Sequence, residues 1–198
     1  MDDSVLPRLK DKIESWYPNR SIFLPHLWIH PWLIFFVNNM QEKLKIIFGS
    51  LKRKFRTVFS RWSTNDDFAA KLLKPWKTIL SENDFGDILF RDIFPKLIFR
   101  LESFDPHPLE LNVEPLKEFC LWLDTMPYEF VEGILEEYVF AKIELLAKEW
   151  AGAGESLEQA EIVEWLFGWK QFFFGVEDQR VEAFVDGKLA GVLAYFGE

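Results

Sequence analysis

The sequence predicts an all-α fold, built from two-helix repeats of about 45 residues stacked as a short HEAT-like α-solenoid. Three observations carry this expectation. Two series of large aromatic residues run through the chain in step, apolar residues between them recur at helical spacing, and no segment shows the strict alternation of a half-buried strand. The first series is Trp32, Trp76, Trp122 and Trp169, separated by 44, 46 and 47 residues. The second is Trp16, Trp62, Phe104 and Trp150, separated by 46, 42 and 46. One series could arise by chance, whereas two interleaved in step are the mark of a repeat. A fainter echo sets Leu6-Pro7-Arg8-Leu9 beside Phe94-Pro95-Lys96-Leu97 and Phe140-Ala141-Lys142-Ile143.

Each member of the second series closes a periodic apolar segment and precedes turn-forming residues such as Tyr17-Pro18-Asn19, Ser63-Thr64-Asn65-Asp66, Asp105-Pro106 and Ala151-Gly152. Residues 44–62 place Leu44, Ile47, Phe48, Leu51, Phe55, Val58, Phe59 and Trp62 on one stripe of a helix. Residues 85–101 keep the same rhythm with Pro95 inside, and a missing backbone N–H there should kink or split the helix. Residues 128–150 carry an apolar stripe from Val131 to Trp150 with Glu129, Glu132, Glu136, Glu137 and Glu144 around it. A last helix is expected over residues 177–196, within a capping segment 176–198. Its large residues, Val181, Phe184, Val185, Leu189, Val192, Leu193 and Phe196, lie opposite Ala183, Gly187, Ala190, Gly191 and Ala194. The large face should close the last repeat, and the small face should admit a second helix at short distance. Residues 1–198 thus read as a single helical repeat domain, taken as a fragment of a longer protein.

The aromatic residues of both series (Trp32, Trp76, Trp122, Trp169, Trp16, Trp62 and Trp150 among the tryptophans) are expected to be core markers, each indole N–H reaching a backbone carbonyl at a helix end. Trp28 and Trp165 fall outside both series and are the candidates for an exposed contact with a partner.

Composition narrows the function classes. The 198 residues are 49% hydrophobic and 28% charged, with 9 Trp, 21 Phe and 4 Tyr. With 10 Gly and 10 Pro the chain is neither disordered nor collagen-like. One cysteine, Cys120, rules out an intramolecular disulfide framework and suits a reducing compartment. The start is acidic with no apolar run of signal-peptide kind, and the longest apolar stretch, residues 27–37, contains His30 and Pro31 and is too short to span a bilayer. No membrane partner is expected. The net charge of −9 conceals an asymmetry: residues 1–62 hold 11 basic against 5 acidic side chains, and residues 102–198 hold 6 against 21. Two surfaces of opposite sign attract different partners.

The motifs of phosphate cradles, dinucleotide folds, zinc proteases and serine hydrolases are all missing from the sequence. His26 and His30 stand at i, i+4 spacing, bracketed by Pro25 and Pro31, and want the further ligands that zinc needs. Cys120 sits in an apolar run with no base beside it. No catalytic, cofactor-binding or metal-binding residue is therefore assigned, and no enzymatic activity is expected. The remaining candidates lie on the 44–62 helix, where Lys45, Lys52, Arg53 and Arg56 gather on a sector away from the apolar stripe. They are either a solvated face or a contact for an acidic protein or for RNA phosphates. Without exposed aromatic platforms beside them, RNA contact would be through the backbone and carry little sequence information.

Four strings occur in order: Leu27-Trp28-Ile29-His30-Pro31-Trp32-Leu33, Leu72-Leu73-Lys74-Pro75-Trp76-Lys77, Ile93-Phe94-Pro95-Lys96-Leu97 and Glu164-Trp165-Leu166-Phe167-Gly168-Trp169-Lys170. Together they resemble the C-terminal region of the tuftelin-interacting, G-patch-containing splicing factors, a region of the GC-rich-sequence DNA-binding-factor-like (GCFC) domain class. The resemblance covers roughly residues 1–175. It implies a nuclear, non-enzymatic scaffold of a pre-mRNA splicing factor that acts when the intron-lariat spliceosome is taken apart. Its implied partners are other disassembly proteins and a DEAH-box RNA helicase, the latter engaged through a G-patch outside this chain. The alternative is an RNA-backbone-binding module that uses the basic face of residues 43–61.

Overall fold

A computed structural model describes residues 5–17, 23–36, 41–109, 111–153, 159–175 and 178–196. The fold is all-helical. Among the described residues the only extended pairing is an isolated antiparallel bridge between Asp105 and Asn112. Pro18, Asn19 and Glu177, expected in turns or at a helix start, lie outside the described residues. The chain divides into two compact units, 1–96 and 97–198.

In the first unit α1 (Val5–Ser15) ends immediately before Trp16, and α3 (Gln41–Arg61) ends immediately before Trp62, as the periodicity requires. On α3 the buried residues Ile47, Leu51, Phe55 and Phe59 recur every fourth position, all at or below 2% exposure. Between these helices α2 (Pro25–Phe36) runs through Pro31 instead of stopping there. Its buried side is built on Pro25 and Ile29. The short α4 (Phe68–Leu73) tightens into a 3-10 turn, Lys74–Trp76, whose last residue is fully buried. Trp76 meets His30 edge-on at 4.7 Å and Phe55 at 5.8 Å. Next, α5 (Glu82–Ile88) begins at Ser81, whose side chain accepts a hydrogen bond from the Asp84 amide.

Pro95 has the effect expected of it, in a specific form. A π turn over Leu89–Ile93 separates α5 from α6 (Phe94–Leu101). Proline at 95 has no N–H to give to the Arg91 carbonyl, and the wider turn just ahead of it absorbs that loss. A second π turn, Glu136–Phe140, divides α8 (Tyr128–Leu135) from α9 (Ala141–Ala153), where a single helix was expected. Ala141 stands there in the place of Pro95, so the interruption recurs without its proline.

In the second unit α7 (Glu114–Cys120) opens with Pro115 in its first turn, where no N–H is needed. Trp122 follows α7 and is 1% exposed. Helix α10 (Gln159–Phe174) buries Trp169 edge-on against Phe104 at 5.5 Å, so a member of one series packs on a member of the other. The terminal helix α11 spans Gln179–Leu193 and runs on as a 3-10 turn, Ala194–Phe196. It buries Val181, Val185, Leu189 and Val192, while Leu193 is exposed. The close helix approach expected on its small face does not occur within the described fold, since a Cβ at Gly187 or Gly191 would meet nothing within 4 Å.

The aromatic series need two corrections. Trp32 is 41% exposed, because on α2 the inward line passes through Ile29 and His30 instead. Trp150 is half-buried inside α9 and does not close it. The expected hydrogen bonds also hold unevenly. Trp62 donates Nε1–H to the Asp66 carbonyl at 2.9 Å, whereas the indole nitrogens of Trp16, Trp76 and Trp169 are buried against rings and side chains with no acceptor among the described residues.

Candidate interaction surface

Within unit one the basic candidates do not form an unopposed positive patch. Lys52 donates to Asp84 Oδ1 at 2.5 Å, tying α3 to α5, and this bond holds the Asp84 carboxyl below its ordinary value. Arg53 bonds Ser50 Oγ at 3.0 Å and lies 3.8 Å from Glu14, and Arg56 lies 3.8 Å from Asp92. Lys45 is exposed. Lys52, Arg53 and Arg56 therefore face carboxylates. Replacing Lys52 by a carboxylate would set like charges together, so its side chain belongs to the fold as well as to the surface.

Trp28 and Trp165, the partner candidates, are also engaged. Trp28 is half-buried under the Lys12 ammonium, 4.6 Å from its ring centroid, in a groove of about 720 Å³ shared with Ser15, Trp16, Tyr17, Phe23 and Leu27. Trp165 donates Nε1–H to the Pro106 carbonyl at 3.0 Å and packs edge-on against Trp150 at 4.9 Å. It pins the loop after Phe104.

The sequence reading missed a third series. Lys54, Lys96 and Lys142 each stand eight residues before a member of the second aromatic series, and each reaches the backbone end of the preceding member's helix. Lys54 donates to the Trp16 carbonyl at 3.2 Å. Lys96 donates to the carbonyls of Phe59, Ser60 and Trp62 at 2.6, 3.1 and 2.7 Å. Lys142 donates to those of Leu101, Glu102 and Phe104 at 3.3, 2.7 and 2.8 Å. The last carbonyls of a helix lack intrahelical donors and carry its negative end, so an ammonium is the natural cap. Lys96 also stands over the Trp62 ring and Lys142 over the Phe104 ring. Burial lowers both ammonium groups from the ordinary lysine value, with Asp92 opposing this at Lys96, and Asp105 and Glu102 at Lys142. Arg8 occupies the same place before Trp16 and is exposed. Lys188, eight residues before Phe196, instead pairs with Glu136. The echo of Arg8, Lys96 and Lys142 was visible; Lys54 was hidden in the basic run Lys52-Arg53-Lys54.

Cys120, His26 and His30 are each shifted by their burial. Burial pushes the Cys120 thiol up to about 12, so thiolate is scarce at neutral pH. Desolvation lowers both His26 and His30, whose rings lie 5.7 Å apart, and His30 is held edge-on by Trp76. Among the described residues no three His, Cys, Asp or Glu side chains gather as a metal site, and no helix is long and apolar enough to cross a membrane.

Residues 1–153 match the family of GC-rich sequence DNA-binding factor-like proteins, GCFC. The chain belongs to the GCFC family. Similar proteins include tuftelin-interacting protein 11 of Xenopus tropicalis, 28% identical over 173 residues, and those of Mus musculus, 27%, and Gallus gallus, 26%, over the same length. Each match covers 87% of this chain and 20% of the relative. The GCFC chain thus spans about a fifth of the length of the curated relatives it matches.

Proposed function

We propose that this GCFC chain is a non-enzymatic α-helical scaffold of a splicing factor acting in intron-lariat spliceosome disassembly. It would dock in the nucleus onto other disassembly proteins, while a G-patch elsewhere in the full protein engages a DEAH-box helicase. The observation that carries this reading is the family match over residues 1–153, joined to the ordered strings that run from Leu27 to Lys170. The stacked two-helix repeat is part of the proposal. The lysine series supports it, since each reaches back to the helix end one repeat earlier. The RNA-backbone alternative has less support, because Lys52, Arg53 and Arg56 already face carboxylates.

The test is retention of nuclear proteins by the immobilised chain, with and without ribonuclease and across a salt series. Disassembly proteins and a DEAH-box helicase should be recovered from extract containing the full-length factor, independently of ribonuclease. Recovery abolished by ribonuclease and falling steeply with salt would favour the RNA module instead.

A further inference from the structure

The groove beside Trp28 shares its plan with two others. In the second unit a groove of about 590 Å³ runs between the segment after α6, residues 102–107, and the side chains of Lys142, Leu145, Leu146 and Glu149 on α9. A shift of 88 residues, the distance from Lys142 to Lys54, gives a groove of about 780 Å³ in the first unit. Its walls are Trp16 and Tyr17 after α1, and Lys54, Thr57, Val58 and Arg61 on α3. In both grooves the ammonium binds a main-chain oxygen of the helix end it faces and stands over an aromatic ring there, Tyr17 or Phe104. A further shift of 46 residues turns Val58, Arg61 and Trp62 into Lys12, Ser15 and Trp16, which line the groove beside Trp28. The same shift turns Lys54 into Arg8. Phe23, Leu27 and Trp28 complete this groove, and among the described residues no helix end stands where the other two grooves have one.

Tyr17, Phe23 and Leu27 are 64, 69 and 57% exposed around the groove, so apolar surface is left uncovered. Arg8, Lys12 and Ser15 follow one line of α1 at i, i+4 and i+7. Arg8 and Lys12 pair with no carboxylate among the described residues. Asp11 is the one carboxylate beside that line, since Glu14 is turned to Lys10 and Arg53. With Lys54 over Tyr17, three cations stand against it. Arginine in the place of lysine also changes what the joint takes. An ammonium suits converging main-chain oxygens, whereas a guanidinium binds a carboxylate through two parallel bonds and lies flat on an aromatic ring. The segment that faces Lys142 has that makeup, with Phe104 between Glu102 and Asp105. An ammonium already stands 4.6 Å from the Trp28 ring and 5.0 Å from the Tyr17 ring, which obstructs stacking by a nucleobase and favours a peptide.

We propose that the groove between α1 and α2 docks the C-terminal end of a partner protein's helix, one that carries an aromatic residue flanked by carboxylates. The ring enters among Tyr17, Leu27 and Trp28, and the carboxylates meet Arg8 and Lys12. The negative pole of the helix end adds to the attraction. This proposal rests on the scaffold reading above and names the face and the chemistry of the partner.

The probe is a fluorescent, amidated Ala/Gln helix of about 18 residues, five turns, that ends in Leu-Glu-Ser-Phe-Asp, the order of residues 101–105. One control peptide ends in Leu-Lys-Ser-Phe-Lys and another in Leu-Glu-Ser-Ala-Asp. Anisotropy titrations on the whole chain should show binding of the probe, and about tenfold weaker binding of either control. Arg8→Gln and Leu27→Gln, both at exposed sites, should each weaken probe binding about fivefold with an unchanged melting temperature. Arg8→Gln should also flatten the salt dependence. Absence of probe binding, equal binding of either control, equal binding by either variant, or displacement of the probe by oligouridylate would each overturn the proposal, the last in favour of RNA. Nuclear proteins retained in full by the Arg8→Gln, Leu27→Gln double variant would remove this groove and leave the scaffold in place. Failure of the unaltered chain to retain any would remove the scaffold itself, with the probe titrations still deciding the groove.

Discussion

Lys96→Met removes an ammonium and keeps most of its apolar stem, which isolates the helix-end cap from packing. In the parent, one Nζ serves three carbonyls at 2.6–3.1 Å, at the end of α3. A hydrogen bond to a charged donor is worth roughly 1.5–3 kcal/mol, but Ser60 is exposed and Lys96 half-buried, so water recovers part of the loss and we expect a cost of about 3 kcal/mol. At about 2–4 °C per kcal/mol for a chain of this size, the melting temperature should fall by about 6–12 °C. Lys96→Arg should restore little, because a planar guanidinium cannot aim its donors at three converging carbonyls. Lys142→Met should match Lys96→Met, and Lys54→Met should cost less, having a single contact at 3.2 Å. Urea unfolding followed by far-ultraviolet circular dichroism measures all four. A Lys96→Met protein within about 0.5 kcal/mol of the parent, the range of ordinary surface changes, would refute the cap.

Trp76→Ala and Trp122→Ala should each cost about 3–5 kcal/mol in the same assay, whereas the exposed Trp32→Ala should cost about 1 kcal/mol or less. The carboxyl of Asp84 is held below its ordinary 3.8, so its contribution is fully present above that value and is lost as the pH falls through the folded one. The stability gap between the parent and Asp84→Asn should therefore hold above pH 3.8 and narrow as the pH falls below it. Gly191→Ala should raise the melting temperature, since the site is open and alanine gains up to about 1 kcal/mol in helix propensity.

Much of the fold was legible because burial on a helix leaves a period in the sequence. The ladder of residues 44–62 became α3 to within three residues, and Pro95 marked a real interruption. Trp32 misled because periodicity along the chain reports repeat position and says nothing of which side of a short, uniformly apolar helix faces inward. The π turn at Glu136–Phe140 left no trace because its cause is not a proline. The basic sector was legible as composition and illegible as chemistry: Asp84 and Asp92, which oppose Lys52 and Arg56, lie more than thirty residues away in sequence.

The lysine caps bear on how such a chain can drift. Each ammonium binds main-chain oxygen, and every amino acid supplies that oxygen. Ser60 or Glu102 can be exchanged for nearly anything without loss of the acceptor, so only one partner in each joint is constrained by genetic change. A joint between two side chains would need coordinated substitutions to survive. Joints of the lysine kind let the remaining surface diverge freely, which is consistent with relatives that share little more than a quarter of their residues over 173 aligned positions.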